Sequence, residues 1–92
     1  MRPDPYSVSI RPQARRSLRQ LDPAVRKTLV QIIDGLAANP RPVGVRLLTG
    51  HRPYLRIRSS DCRIVYAVDD QVRAVIVAAV GHRREIYRGL DL

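Results

Sequence analysis

Near the end of the chain, Gly81-His82-Arg83-Arg84-Glu85-Ile86-Tyr87 gathers a histidine, two arginines and a tyrosine into seven residues. A phenol ordinarily ionises near pH ~10, and adjacent guanidinium groups favour the phenolate, which suits an arginine-flanked tyrosine to general-base work. Tyr87 follows Arg83 by four residues, so the two side chains share a face if the segment is helical. RNA brings its own nucleophile, the ribose 2′-OH. Its cleavage then needs a base on that hydroxyl, cations for the charge developing at phosphorus, and an acid for the leaving 5′-oxygen. Arginines with Tyr87 and His82 meet that list without a metal. The same residue types also suit a solvated tail with a packing tyrosine, and the segment by itself leaves both readings open.

Three arginines upstream strengthen the case for anion binding. In Tyr54-Leu55-Arg56-Ile57-Arg58, strand alternation sends Leu55 and Ile57 one way and Tyr54, Arg56 and Arg58 the other. In Arg63 to Val68, with Ile64 and Tyr66 turned to the core, Arg63 joins Arg56 and Arg58 on the opposite face. Arg83 and Arg84 follow the next strand. Together these residues form a basic cluster that the acids of the turns, Asp61, Asp69, Asp70 and Glu85, are too few to neutralise.

The composition agrees. Seventeen basic residues stand against eight acidic ones, a formal charge of +9 on 92 residues, and every basic residue but Lys27 is arginine. Such an excess suggests a polyanionic partner, and arginine makes the planar, bidentate phosphate contacts that lysine cannot. Hydrophobic residues make up 45% of the chain, which supports a packed core and argues against disorder. The single cysteine, Cys62, lies in a strand-like run and reads as a small buried hydrophobe. One cysteine and two distant histidines offer no metal-ligand spacing, so no metal and no cofactor are expected. The apolar run Ala74 to Val80 is too short to span a bilayer, and the N-terminal residues lack the apolar stretch of a signal peptide. A cytoplasmic protein without membrane contact is the expectation.

The elements that must position these residues follow from period and punctuation. Tyr6, Val8 and Ile10 alternate in a first strand. Pro12 opens a helix with Ala14, Leu18 and Leu21 on one stripe. Asp22-Pro23 ends it and caps a second helix, to Ala38, striped by Val25, Leu29, Ile32, Ile33 and Leu36. Asn39-Pro40 stops that helix. A short strand over Val45 to Leu48 and stronger ones over Tyr54 to Arg58, Arg63 to Val68 and Arg73 to Val80 are joined by short turns, which requires antiparallel pairing. The expected fold is one α+β domain over residues 1–92, β-α-α-β-β-β with a short C-terminal element. Its twisted, mainly antiparallel sheet of about four strands carries a helical hairpin on one face. The last strand is apolar on both sides, so either the terminal segment or a partner must cover its second face.

In this order the motifs resemble the RelE/ParE superfamily of bacterial type II toxins, and within it the RelE-like mRNA interferases. The resemblance is carried by the Tyr6 strand, the hairpin ending in Leu36-Ala37-Ala38-Asn39-Pro40, and Leu47-Leu48-x-Gly50. Tyr54-x-Arg56-Ile57-Arg58, Arg63-Ile64-Val65-Tyr66 and Val80-Gly81-His82-Arg83-x-x-Ile86-Tyr87 complete it. The resemblance implies an endoribonuclease that cuts mRNA on the ribosome by 2′-OH attack. A cognate antitoxin would silence it, and operator DNA would be met only through the antitoxin complex. It implies phosphate-stabilising roles for Arg63 and Arg83, proton transfer or base stacking for Tyr87, and support from His82. Arg56, Arg58 and Arg84 would bind RNA, Arg56 and Arg58 at positions that are often lysine in the family. The alternatives on the same fold are a ParE-like toxin that poisons DNA gyrase by binding, and a non-catalytic fold-mate that binds only its antitoxin.

Overall fold

A computed structural model describes residues 5–82 and Ile86. Within them lie β1 (Ser7–Ile10), α1 (Pro12–Arg19), α2 (Pro23–Gly35), β2 (Arg46–Leu47), β3 (Leu55–Ser59), β4 (Cys62–Asp69) and β5 (Ala74–His82). The expected C-terminal element lies outside the described residues. The strands form one five-stranded sheet in the order β1-β5-β4-β3-β2, where about four strands were expected. The short strand expected over Val45 to Leu48 is β2, reduced to two residues, and it brings the sheet to five. The β2–β3, β3–β4 and β4–β5 pairs are antiparallel, as their short turns require, whereas β1 runs parallel to β5.

Both helices begin with proline, a residue whose missing N–H costs nothing in the first turn. Asp22 stands at the N-cap of α2 but makes no side-chain capping bond; only its carbonyl engages the helix, accepting from Arg26 N–H. After Gly35 the chain tightens into i→i+3 bonds, Leu36 to Ile33, Ala37 to Asp34 and Ala38 to Gly35. The Asn39 side chain then accepts from Arg41 N–H and turns the chain away.

The helices lay their apolar stripes on one face of the sheet. Ala14 and Leu18 of α1 and Leu29, Ile33 and Leu36 pack on Ile57, Ile64, Tyr66, Val75, Val77 and Val80. Val25, at the head of the expected α2 stripe, is 38% exposed, since the residues that α2 buries all lie in its second half. The opposite face carries a smaller cluster of Leu48, Val65, Ala79 and Ile86, with Tyr54 against it. Each large side chain buried in either layer contributes about 1.5–3 kcal/mol.

A bulge divides β5 between these layers. Val65 pairs with Ala79 but Tyr66 pairs with Val77, which leaves Ala78 unmatched. The extra residue breaks the two-residue alternation and lets Val75, Val77 and Val80 all face the helices. Ile86 returns over the other face, its N–H donating to the His82 carbonyl and its Cβ 3.9 Å from where a Cβ on Gly81 would stand. Ile86 therefore supplies cover that the doubly apolar strand requires.

At the far end of the sheet, Asp70 in the β4–β5 turn ties three segments together. Arg41 binds it through two guanidinium nitrogens at 3.1 and 2.9 Å, and the Tyr6 hydroxyl donates to it at 2.6 Å. Arg73 lies over the Tyr6 ring, 4.4 Å from its centroid. The Arg41 and Tyr6 hydrogen bonds hold the Asp70 carboxyl at about 2, below its ordinary 3.8. A carboxyl whose folded value is depressed stabilises the fold above its unfolded value and loses that contribution as pH falls through the folded one. Asp70→Asn should therefore lower the urea midpoint at pH 7. The gap to wild type should close between about pH 4 and pH 2. A gap independent of pH would show that the carboxylate charge plays no part.

Candidate anion-binding face

Strand register decides which arginines meet. Arg58 lies directly opposite Arg63 across the β3–β4 pair, and Arg56 stands between Val65 of β4 and Arg46 of β2. Val65 belongs to the cluster on the face away from the helices, so Arg46, Arg56, Arg58 and Arg63 all belong to that face. Like charges set directly opposite each other destabilise a sheet, and two such pairs occur here side by side. Arg46 was not foreseen from sequence, because a two-residue strand shows no period.

Arg63 is the buried member, 8% exposed. Its Nη1 donates to the carbonyls of Ser60 at 3.2 Å and Cys62 at 2.9 Å. Among the described residues no carboxylate pairs with it: Asp70 is bound to Arg41, and Asp69 accepts from the N–H groups of Gln71 and Val72. Two carbonyls fix the guanidinium without neutralising it, and its remaining donors can grip an anion. The Ser60 carbonyl reaches Arg63 from a turn in which Ser60 takes φ 56, the left-handed region that costs a non-glycine residue about 1–2 kcal/mol.

Two further residues extend the face. Arg11, where β1 passes into α1, reaches Tyr54 through a hydrogen bond from Nη2 to the phenol oxygen at 3.3 Å. His51 lines a cavity of about 350 Å³ with Arg56, Leu47, Leu48 and Thr49. Its backbone is fixed by its own N–H to the Leu48 carbonyl and by its carbonyl from Tyr54 N–H. Neither residue lies in an alternating run, so no period marks it in sequence.

His82 takes the other side. It pairs with Cys62, a member of the helix-side core, and lines a cavity of about 370 Å³ with Gln13, Ser17, Gln20 and Leu21. The bulge at Ala78 is responsible, since one extra residue reverses the alternation of all that follow. The structure thus joins Arg56, Arg58 and Arg63 but turns His82 away from them. Arg83, Arg84 and Tyr87 lie outside the described residues. Cys62 is buried as expected, and desolvation pushes its thiol up from the ordinary value.

Comparison with known proteins places this arrangement among relatives. Residues 8–87 match the family model described as the ParE toxin of the type II toxin–antitoxin system parDE. Toxin RelG of Mycobacterium tuberculosis is 33% identical over 85 residues, covering 91% of this chain and 98% of the relative. Toxin RelE of the same organism is 32% identical, with 91% and 88% covered. Among solved structures, the toxin in the intact Escherichia coli RelBE toxin–antitoxin complex superposes with a TM-score of 0.72 at 30% identity. That match covers 84% of this chain and 95% of the other.

The strained Ser60 turn yields a direct test, because the bond to Arg63 uses a carbonyl that any residue supplies. Ser60→Gly should raise stability by about 1 kcal/mol by removing the left-handed cost, while Ser60→Val should lower it. Urea midpoints of the two variants check this; equal midpoints would mean that the turn stores no strain.

Proposed function

Since the chain belongs to the RelE/ParE superfamily of type II toxin–antitoxin toxins, we propose that it is a ribosome-dependent endoribonuclease that cuts mRNA. The observation that carries this reading is the Arg63 guanidinium, buried, held by two carbonyls and paired with no carboxylate among the described residues, beside Arg58 and Arg56. A face built this way favours a phosphate whose negative charge grows during reaction, because preorganised cations there cost no reorganisation.

In the proposed reaction the 2′-oxygen forms a bond to the adjacent phosphorus while the bond from phosphorus to the 5′-oxygen breaks. The 2′-hydroxyl proton leaves to a base, and a proton reaches the departing 5′-oxygen. Arg63 and Arg83 stabilise the charge at phosphorus, and Arg56, Arg58 and Arg84 bind the strand on either side. Tyr87 takes part in proton transfer or stacks on a base. His82 contributes through its backbone, its carbonyl accepting from Ile86 N–H, which brings the chain back to the open face where Ile86 packs. The chemistry uses the chain's own groups, so chelators should leave it unchanged. A cognate antitoxin is the proposed silencing partner, and operator DNA is reached through it.

Inducing the protein and mapping mRNA 5′ ends on ribosomes should reveal codon-phased cuts. Arg63→Ala should reduce cutting by about 10²–10³-fold, the usual loss when one preorganised donor to a developing oxyanion is removed. Tyr87→Phe should also relieve growth arrest, and both variants should still bind antitoxin. Intact mRNA together with accumulated gyrase–DNA cleavage complexes would instead favour gyrase poisoning, the alternative reading on the same fold.

A further inference from the structure

Among the described residues, Ser60 at φ 56 and Arg73 at φ 54 take left-handed backbone angles without being glycine. Arg73 stands in the β4–β5 turn, where both its parts are used. Its guanidinium lies over the Tyr6 ring, and its carbonyl accepts from Ser7 N–H. Ser60 opens the two-residue loop between Ser59 of β3 and Cys62 of β4, which pair directly. The favoured turns of such a loop need a positive φ at this first position, and glycine, asparagine and aspartate supply it most readily. Hairpin geometry therefore explains the angle but not the serine.

Serine usually suits a turn because its hydroxyl bonds the local backbone. Other hydroxyls of this chain do reach nearby carbonyls, Ser17 to Gln13 and Thr28 to Ala24. Ser60 is exposed, and its Oγ makes no hydrogen bond among the described residues. Its carbonyl, however, accepts from Arg63 Nη1 at 3.2 Å. The hydroxyl belongs to the same residue, so the covalent span of one residue keeps it close to that guanidinium. Arg58, opposite Arg63, precedes it by two residues. Asp61, the other loop residue, forms no ion pair among the described residues. The turn thus places a neutral O–H donor, committed to nothing in the protein, beside two arginines.

We propose that Ser60 is a substrate contact of the cleavage face, its Oγ–H donating to a non-bridging oxygen of the phosphate that Arg63 holds. This inference rests on the ribonuclease reading and adds a neutral donor to it. Both carbonyl bonds of Arg63 use Nη1, which leaves Nε and Nη2 for the anion. The hydroxyl keeps its proton and forms no covalent bond. Its hydrogen bond strengthens as charge accumulates on the phosphate oxygen, which is how a preorganised donor lowers a barrier. A third cation here would instead add repulsion to the Arg58–Arg63 pair. A strained residue kept for its side chain sets stability against activity, because glycine would relax the turn and remove the contact.

Single-turnover cutting of a short mRNA on programmed ribosomes, with the protein in excess, separates the two properties. Ser60→Ala and Ser60→Gly should both cut about 10–100-fold more slowly than the parent, the usual weight of a hydrogen bond to a charged acceptor. The glycine variant should do so despite its higher urea midpoint. Ser59 pairs with Cys62 of the helix-side core, so Ser59→Ala loses the same group one position away and should cut at the parent's rate. Sulfur is a weak acceptor. When it replaces each non-bridging oxygen of the scissile phosphate in turn, the parent should slow on the diastereomer whose sulfur meets Ser60. Ser60→Ala should lose that discrimination. A glycine variant as fast as the parent, an equal loss in Ser59→Ala, or unchanged discrimination in Ser60→Ala would each overturn the proposal while leaving the ribonuclease reading in place. A parent that leaves mRNA intact would remove that reading, and this contact with it.

Discussion

The β4–β5 ladder, with its one unmatched residue, is the constraint on which the rest depends. Nine residues of β5 carry almost no polarity, and a strand of that kind must be covered on both faces. Omitting Ala78 from the pairing directs valines at both ends of the strand to the helices and gives Ala79 to the other side. The helical hairpin can then bind one face while Ile86, with Leu48 and Tyr54, packs with Val65 on the other. Without the bulge, Val80 would point away from Leu18 and the helix layer would lose one end of its support.

The same ladder fixes the electrostatics. β4 lies between β3 and β5, so Arg63 is buried under its neighbours while staying opposite Arg58. Fold stability alone gives no reason to place an arginine there, since an apolar residue would meet no repulsion. At the far end of the sheet the opposite solution appears, where Asp70 neutralises Arg41 and orders Tyr6. One end of the molecule is thus internally compensated, and the other is left positive for something from outside.

Much of this was legible in the sequence for identifiable reasons. Pro12 and Pro23 mark both helix starts, and the alternation in β3 and β4 sorts Arg56, Arg58 and Arg63 onto one face before any coordinates are known. The parallel β1–β5 pairing was not legible, because the two strands lie more than sixty residues apart and no turn joins them. The bulge was hidden because an apolar run has no polar residues to expose a break in period. The bulge also explains why His82, given a supporting role beside Arg83 and Tyr87 from sequence, lies on the helix side. Arg46, Arg11 and His51 were hidden for a different cause: each sits where a strand is too short, or a corner too irregular, to show a face.

The two-residue length of β2 has a meaning for the molecule in a crowded solution. An exposed sheet edge invites further strands to add to it, and long, flat, uncharged edges seed aggregation. Here the outer edge offers another chain only Arg46 and Leu47, the first of them charged and already facing Arg56. A second copy adding along that edge would bring its own arginine beside those two. The residues that crowd positive charge onto the sheet face therefore also keep copies of the protein from polymerising along it.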